Sequence, residues 1–287
     1  MTRCVRSMPF PFDSRVTPAR PDLAAAHLRG VVDAPRYVEG SPRQIAQASA
    51  PLRRAPERDA PLETEALFGE TVVVYDEREG SAWVQLDRDG YVGYLPLFAL
   101  GPPCRHTHRV AALRTHVYPG PSIKLAPLMA LSLGARLAIA GHEGDFAVTA
   151  DGRFVWARHL ADADSHERDF VAVAEKFLNA PYLWGGRTSE GIDCSGLVQA
   201  GLTAAGVAAP RDSDMLEALG ERLPAAHARG DLVFWKGHVG VMRDAGTLIH
   251  ANAWHMAVVS EPLAEARARI AANGGGNVTS VRRLGTL

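Results

Sequence analysis

The sequence predicts an α+β domain at its C-terminal end, preceded by two small all-β barrels and a short N-terminal arm. Three observations carry this. Short runs of alternating apolar residues, divided by Gly-containing turns, fill the stretch from Ile45 to Leu160. Those runs occur twice in the same order, which makes two tandem units. Beyond ADADSHE the apolar spacing becomes helical, and strand-like runs follow the helices.

A chain of 287 residues holds two or three domains at roughly 100–200 residues each. Lys+Arg 31 against Asp+Glu 32 gives a net charge of −1, which excludes a global basic field for nucleic acid or an anionic membrane surface. Hydrophobic residues at 47% supply ample core material. The N-terminus MTRCVRSMPFPFDSR lacks the apolar run of about 7–15 residues that marks a signal peptide, and no stretch approaches about 18 consecutive apolar residues. A cytoplasmic location without membrane insertion is the expectation. Cys4, Cys104 and Cys194 show no CxxC spacing, so neither a disulfide framework nor a zinc site is expected. His106 and His108 in CRHTH lack a fourth ligand at standard spacing, and no metal or other cofactor is expected.

Residues 1–42 form the arm, whose one periodic segment, TPARPDLAAAHLRG, predicts a short helix opened by Thr17 and Pro18 and closed by Gly30. Residues 43–102 form the first barrel, with strands at Thr71–Tyr75, Ala82–Leu86 and Tyr91–Leu95 and turns at Glu79-Gly80 and Asp89-Gly90. Residues 103–162 form the second. Leu52 aligns with Leu113, Gly69 with Gly134, Trp83 with Phe146, Gly90 with Gly152 and Leu100 with Leu160. The repeat resembles the bacterial SH3-like domain.

Residues 163–287 form the last domain. Phe170, Val171, Ala174, Phe177 and Leu178 recur at helical spacing until Asn179-Ala-Pro181 stops them, and CSGLVQAGLTAAG makes a second helix ending at Gly206. Strands are expected at Asp231–Trp235, Val239–Arg243 and Thr247–Ala251, with a hairpin turn at Asp244-Ala-Gly246.

Cys194 falls where a Gly-rich turn enters the second helix, and unpaired N–H groups there favour thiolate and lower the thiol pKa. From position alone it is either a nucleophile or a small buried apolar residue. His238 and His250 flank the hairpin turn, and their even spacing lets both rings share one face as diagonal neighbours. Singly, each also fits an ordinary half-buried side chain. Together with Cys194 they make the set that nucleophilic thiol catalysis needs: a nucleophile, a base and a group that orients the base.

The blocks PYLWGG, DCSGL, GDLVF, HVGV and IHA follow one another in the order and spacing of the NlpC family of papain-like cell-wall cysteine peptidases, which this domain resembles. With two SH3-like domains in front, the layout looks like the subgroup of γ-D-glutamyl-L-diamino-acid endopeptidases, the dipeptidyl-peptidase VI type. That resemblance implies a murein peptide substrate with an unblocked N-terminal L-Ala. It makes Cys194 the nucleophile, His238 the general base and His250 the residue that orients it. It also makes Glu70 of LFGE and Tyr91 of DGYVGYLP partners of the substrate ammonium, with Asp193 beside the nucleophile. Ser195 and Ser213 would contact the D-Glu carboxylate, and Trp184 would wall the pocket. The sequence departs from the subgroup in carrying Tyr94 where a tryptophan often follows the second glycine. Two rival classes stay in view, a non-catalytic module that binds cell-wall peptide and a thiol acyltransferase or amidase on the same fold.

Overall fold

The structure is a computed structural model describing residues 12–226 and 228–285, so Cys4 lies outside the described residues. The expected arm helix is not there. TPARPDLAAAHLRG instead forms short strands, Ala19–Arg20 and Leu23–Ala25, and one 3₁₀ turn at Ala26–Leu28. Pro21 interrupts a helix begun at Pro18, and Leu23, Ala24 and Ala25 are all buried, which no single helix face achieves. A parallel pairing of Ala24 with Tyr37 takes up the backbone groups instead.

Seven strands between Ser41 and Gly101 form the first barrel, each pairing antiparallel with its neighbours around Ile45, Leu52, Val72, Val84, Leu86 and Leu95. The first of them, Ser41–Ile45, starts ahead of residue 43. The second unit closes a five-stranded and a three-stranded sheet over Val110, Val117, Leu131, Leu137 and Val155. Its repeat relation is visible in the backbone. Gly69 and Gly134 have φ of 79° and 90°, Gly90 and Gly152 have 75° and 80°, and a 3₁₀ turn precedes both Leu100 and Leu160. Left-handed positions of this kind favour glycine, so the turns remain legible after the strands have diverged.

In the last domain α1 (Phe170–Glu175) and α2 (Cys194–Ala204) lead to a one-turn helix α3 (Ser213–Leu216) and then a six-stranded antiparallel sheet. The final helix, α4 (Leu263–Ala272), precedes the sheet's last strand, Ser280–Arg283. Alternation sorts the sheet's two faces. Val239, Val241, Ile249 and Ala251 join the core that contains α1 and α2, whereas Val233, Trp235, Met242 and Leu248 pack with Ala266 of α4. No helix among the described residues is long and apolar enough to cross a membrane.

The first barrel docks directly on this domain. A Cβ at Gly185 would lie 3.0 Å from the carbonyl oxygen of Leu62, and φ there is 76°, so only glycine lets the barrel strand Leu62–Leu67 approach so closely. Polar groups then hold the contact. The Arg187 N–H donates to Glu65 Oε2 at 2.8 Å, Arg211 Nε to Thr64 Oγ1 at 2.7 Å, and Gln199 Nε2 to Asp89 Oδ2 at 2.8 Å.

Candidate active site

Cys194 is the first residue of α2, and Asp193 caps the helix by accepting from the Gly196 N–H at 2.7 Å. Gly196 is required there, since a Cβ would stand 2.6 Å from the Gly186 carbonyl oxygen. Asp193 also accepts from the Gly185 N–H at 2.8 Å and from Arg211, so its carboxylate fixes the turn around the thiol. That commits its side chain to the scaffold and not to a ligand. Ser195 Oγ likewise accepts from Arg211 Nη1, at 2.8 Å.

The thiol is buried, and burial, followed by the Asp193 charge, pushes it up to about 12. The lowering expected from the helix start is present, in the N–H groups of Val239 and Ser195 and the Arg211 charge, but burial outweighs it. His238, next to Val239, is pushed down to about 3 by burial, His250 and Arg269. Burial thus disfavours the charged form of both the thiol and the imidazole.

The hairpin register pairs Val241 with Ile249 and Met242 with Leu248, which sets His238 diagonal to His250. Their rings meet, with His238 Nε2 2.8 Å from His250 Nδ1. On its far side His250 Nε2 lies 2.7 Å from Glu261 Oε1, and Arg269 Nη2 donates to that same oxygen at 2.6 Å.

A cleft of about 790 Å³ opens over the sulfur between the first barrel and the last domain. Tyr91, Trp184, Asp193, Ser195, Ser213 and Gly237 line it with Cys194, while His238 and His250 line a second cavity of about 200 Å³ together with Trp235 and Arg269. The Tyr91 hydroxyl donates to Asp212 Oδ2 at 3.1 Å and lies 3.4 Å from Glu63 Oε2. Trp184 is 67% exposed, so it is a wall of the cleft and not a core residue. Arg15 of the arm closes one end by donating to Asp212 and Asp214, each at 2.8 Å.

Glu70 does not belong to this cleft. It is buried behind the barrel wall, where Arg88 Nη1 donates to its oxygens at 2.7 and 2.6 Å, Arg187 Nη1 donates to both at 3.2 Å, and the Leu67 N–H adds a fifth bond at 2.9 Å. Burial alone would raise this carboxyl, but Arg187 and Arg88 hold it at about 2. A carboxylate so occupied has no room for an ammonium. Glu63 is the barrel carboxylate that faces the cleft, beside Tyr91. The sequence reading missed it, together with Arg211 and Glu261. Arg211 had one local signal, its place in PRDSD beside Ser213.

Two α-helices against an antiparallel sheet, with a cysteine at a helix start and a histidine pair on the sheet, define a papain-like cysteine peptidase. The chain belongs to the NlpC/P60 family. The model of that family matches residues 179–269, and the model described as "Bacterial dipeptidyl-peptidase Sh3 domain" matches residues 52–100. A γ-D-glutamyl-L-lysine dipeptidyl-peptidase of Bacillus subtilis (strain 168) is 30% identical over 223 residues, covering 67% of this chain and 73% of that one. The protein of the same name from Bacillus cereus (strain ATCC 10987 / NRS 248) is 26% identical over 238 residues, covering 70% and 71%. The crystal structure of an NlpC/P60 family protein from Bacillus cereus ATCC 10987 superposes with a TM-score of 0.70 at 22% identity, over 85% of this chain and 99% of that one, and shares the fold.

Proposed function

We propose that this peptidase hydrolyses the γ-D-glutamyl–L-diamino acid bond of murein peptides whose N-terminal L-Ala is unblocked. The observation that carries the reading is the cleft itself, which sets Cys194 across from Tyr91, Glu63 and Asp212 of a walled end. An ammonium at that end meets carboxylates and a phenol, whereas an acylated nitrogen brings no charge to them and would need room the arm occupies. The names of the Bacillus relatives agree with this substrate class.

In this reading His238 Nδ1 takes the Cys194 proton as the sulfur attacks the γ-glutamyl carbonyl. The backbone N–H of Cys194, at the start of α2, faces the developing oxyanion. His238 then gives its proton to the departing amine, and water, deprotonated by the same ring, hydrolyses the thioester. Glu63 replaces Glu70 as the ammonium partner, and Ser213 and Trp184 border the glutamyl portion.

The test is hydrolysis of L-Ala-γ-D-Glu-diaminopimelate beside its N-acetylated form, with wild type and Cys194→Ala and products separated by mass. Cleavage of the free-amine peptide alone, lost in the variant, is the expected result. Equal cleavage of both peptides would remove the amine gate, and cleavage by the variant would remove the thiol mechanism.

A further inference from the structure

His250 is completely buried, so water cannot satisfy either ring nitrogen and protein groups must. Nδ1 meets His238 Nε2, and Nε2 meets Glu261 Oε1, at 2.8 and 2.7 Å. Glu261 reaches it through strand register: His250 pairs with Val259 and Leu248 with Glu261, which makes Glu261 the diagonal neighbour on the same face. Arg269, from α4, holds both carboxylate oxygens. We propose that Glu261, clamped by Arg269, is a positioning residue that sets the tautomer of both imidazoles, so that His238 offers the lone pair of Nδ1 to the Cys194 thiol.

Donors and acceptors along the chain must match one to one. An ionised carboxylate only accepts, so His250 Nε2 carries the proton. Neutral His250 then has a lone pair on Nδ1, and His238 Nε2 must donate to it. His238 Nδ1 is left as the acceptor, which is the form a general base requires. Asn252 Nδ2 also stands 3.0 Å from His250 Nε2 and asks for the opposite tautomer, while its Oδ1 is held by the His255 N–H at 2.9 Å. A charged acceptor outweighs a neutral donor here. Burial opposes the charge on Glu261, but His250 and Arg269 keep its carboxyl at about 2. When His238 takes the thiol proton, its Nε2–H stays on His250, and the chain hands part of the new positive charge toward Glu261.

This inference rests on His238 acting as the base, and the test separates the two ideas. Glu261→Ala is expected to lower kcat by about 10²–10³-fold, less than the ~10⁴ lost when a carboxylate touching the base itself is neutralised, because one imidazole intervenes. KM should stay within about twofold. In ¹⁵N-histidine-labelled protein, the ring shifts of His250 should move from a single Nε2-protonated form to a mixture. Glu261→Gln, whose amide oxygen can accept the same bond, should recover part of the rate and serves if the alanine variant does not fold. Wild-type kcat or unmoved ring shifts in Glu261→Ala, with Cys194→Ala and His238→Ala inactive, would overturn the proposal. Activity in His238→Ala would instead overturn the base assignment, and the ring shifts would still decide the role of Glu261.

Discussion

Arg211 grips Asp193 with both ends of its guanidinium, Nη1 to Oδ1 at 3.0 Å and Nη2 to Oδ2 at 2.6 Å, in the turn that leads into Cys194. Arg211 is 1% exposed and Asp193 7%, so the pair is buried at the edge of the cleft. Breaking a buried pair from one side leaves the other charge uncompensated, at about 3–5 kcal/mol. Arg211→Met should therefore lower the unfolding free energy by that order, read from the shift of the urea midpoint, and cost activity as the turn loosens, whereas Asp193→Asn with Arg211→Met should recover part of the stability. A single variant as stable as wild type in urea titration would show that the pair does not fix the turn.

Two glutamates of the first barrel separate recognition from scaffolding. Glu63 faces the cleft beside Tyr91, and Arg54 pairs with it from the rim, where that arginine is 71% exposed. Glu63→Gln should raise KM for the free-amine peptide about 10- to 100-fold, the loss of one charge-assisted contact worth about 1.5–3 kcal/mol. Glu70→Gln should leave the ratio of free-amine to acetylated cleavage unchanged and lower thermal stability, because Arg88 and Arg187 lose their shared counter-charge. Paired kinetics and thermal melts check both. If Glu70→Gln altered the substrate preference while Glu63→Gln did not, the assignment would be reversed.

The legible parts of this molecule are those where backbone geometry dictates the residue. Gly185 and Gly196 permit contacts that any Cβ would block, and the paired glycines of the barrels occupy left-handed turns, so motif and repeat both survive in the string of letters. Cys194, His238 and His250 could be read for a similar reason: a helix start and a hairpin with even spacing define their places. That Glu70 turns away from the cleft could not be read, because one of the two arginines that bind it, Arg187, lies far along the chain. The arm misled for a related reason. Its alanines suit a helix, yet their burial against the barrel and the pairing with Tyr37 override local propensity. Glu261 carries no motif; its role appears only in the strand register.

Stability should fall with acidification as histidines that the fold keeps neutral are protonated in the unfolded chain. In the folded protein burial, followed by His250 and Arg269, pushes His238 down to about 3, and burial lowers His250 and His106 as well. The unfolded chain takes up those protons near pH 6.5, while the folded one does not. Between about pH 6.5 and pH 4.5 the unfolded state thus binds more protons, and stability drops by about 1.4 kcal/mol per pH for His238, with His250 and His106 acting in the same direction. Glu70 and Glu261, both held at about 2, add their own loss only below about pH 4.5, in the same direction. Urea titrations at pH 6.5, 5.5 and 4.5 should show this slope, and His238→Gln should reduce it by the share of one proton. A flat profile across that window, or an equal slope in the variant, would mean that His238 is protonated in the folded protein near pH 6.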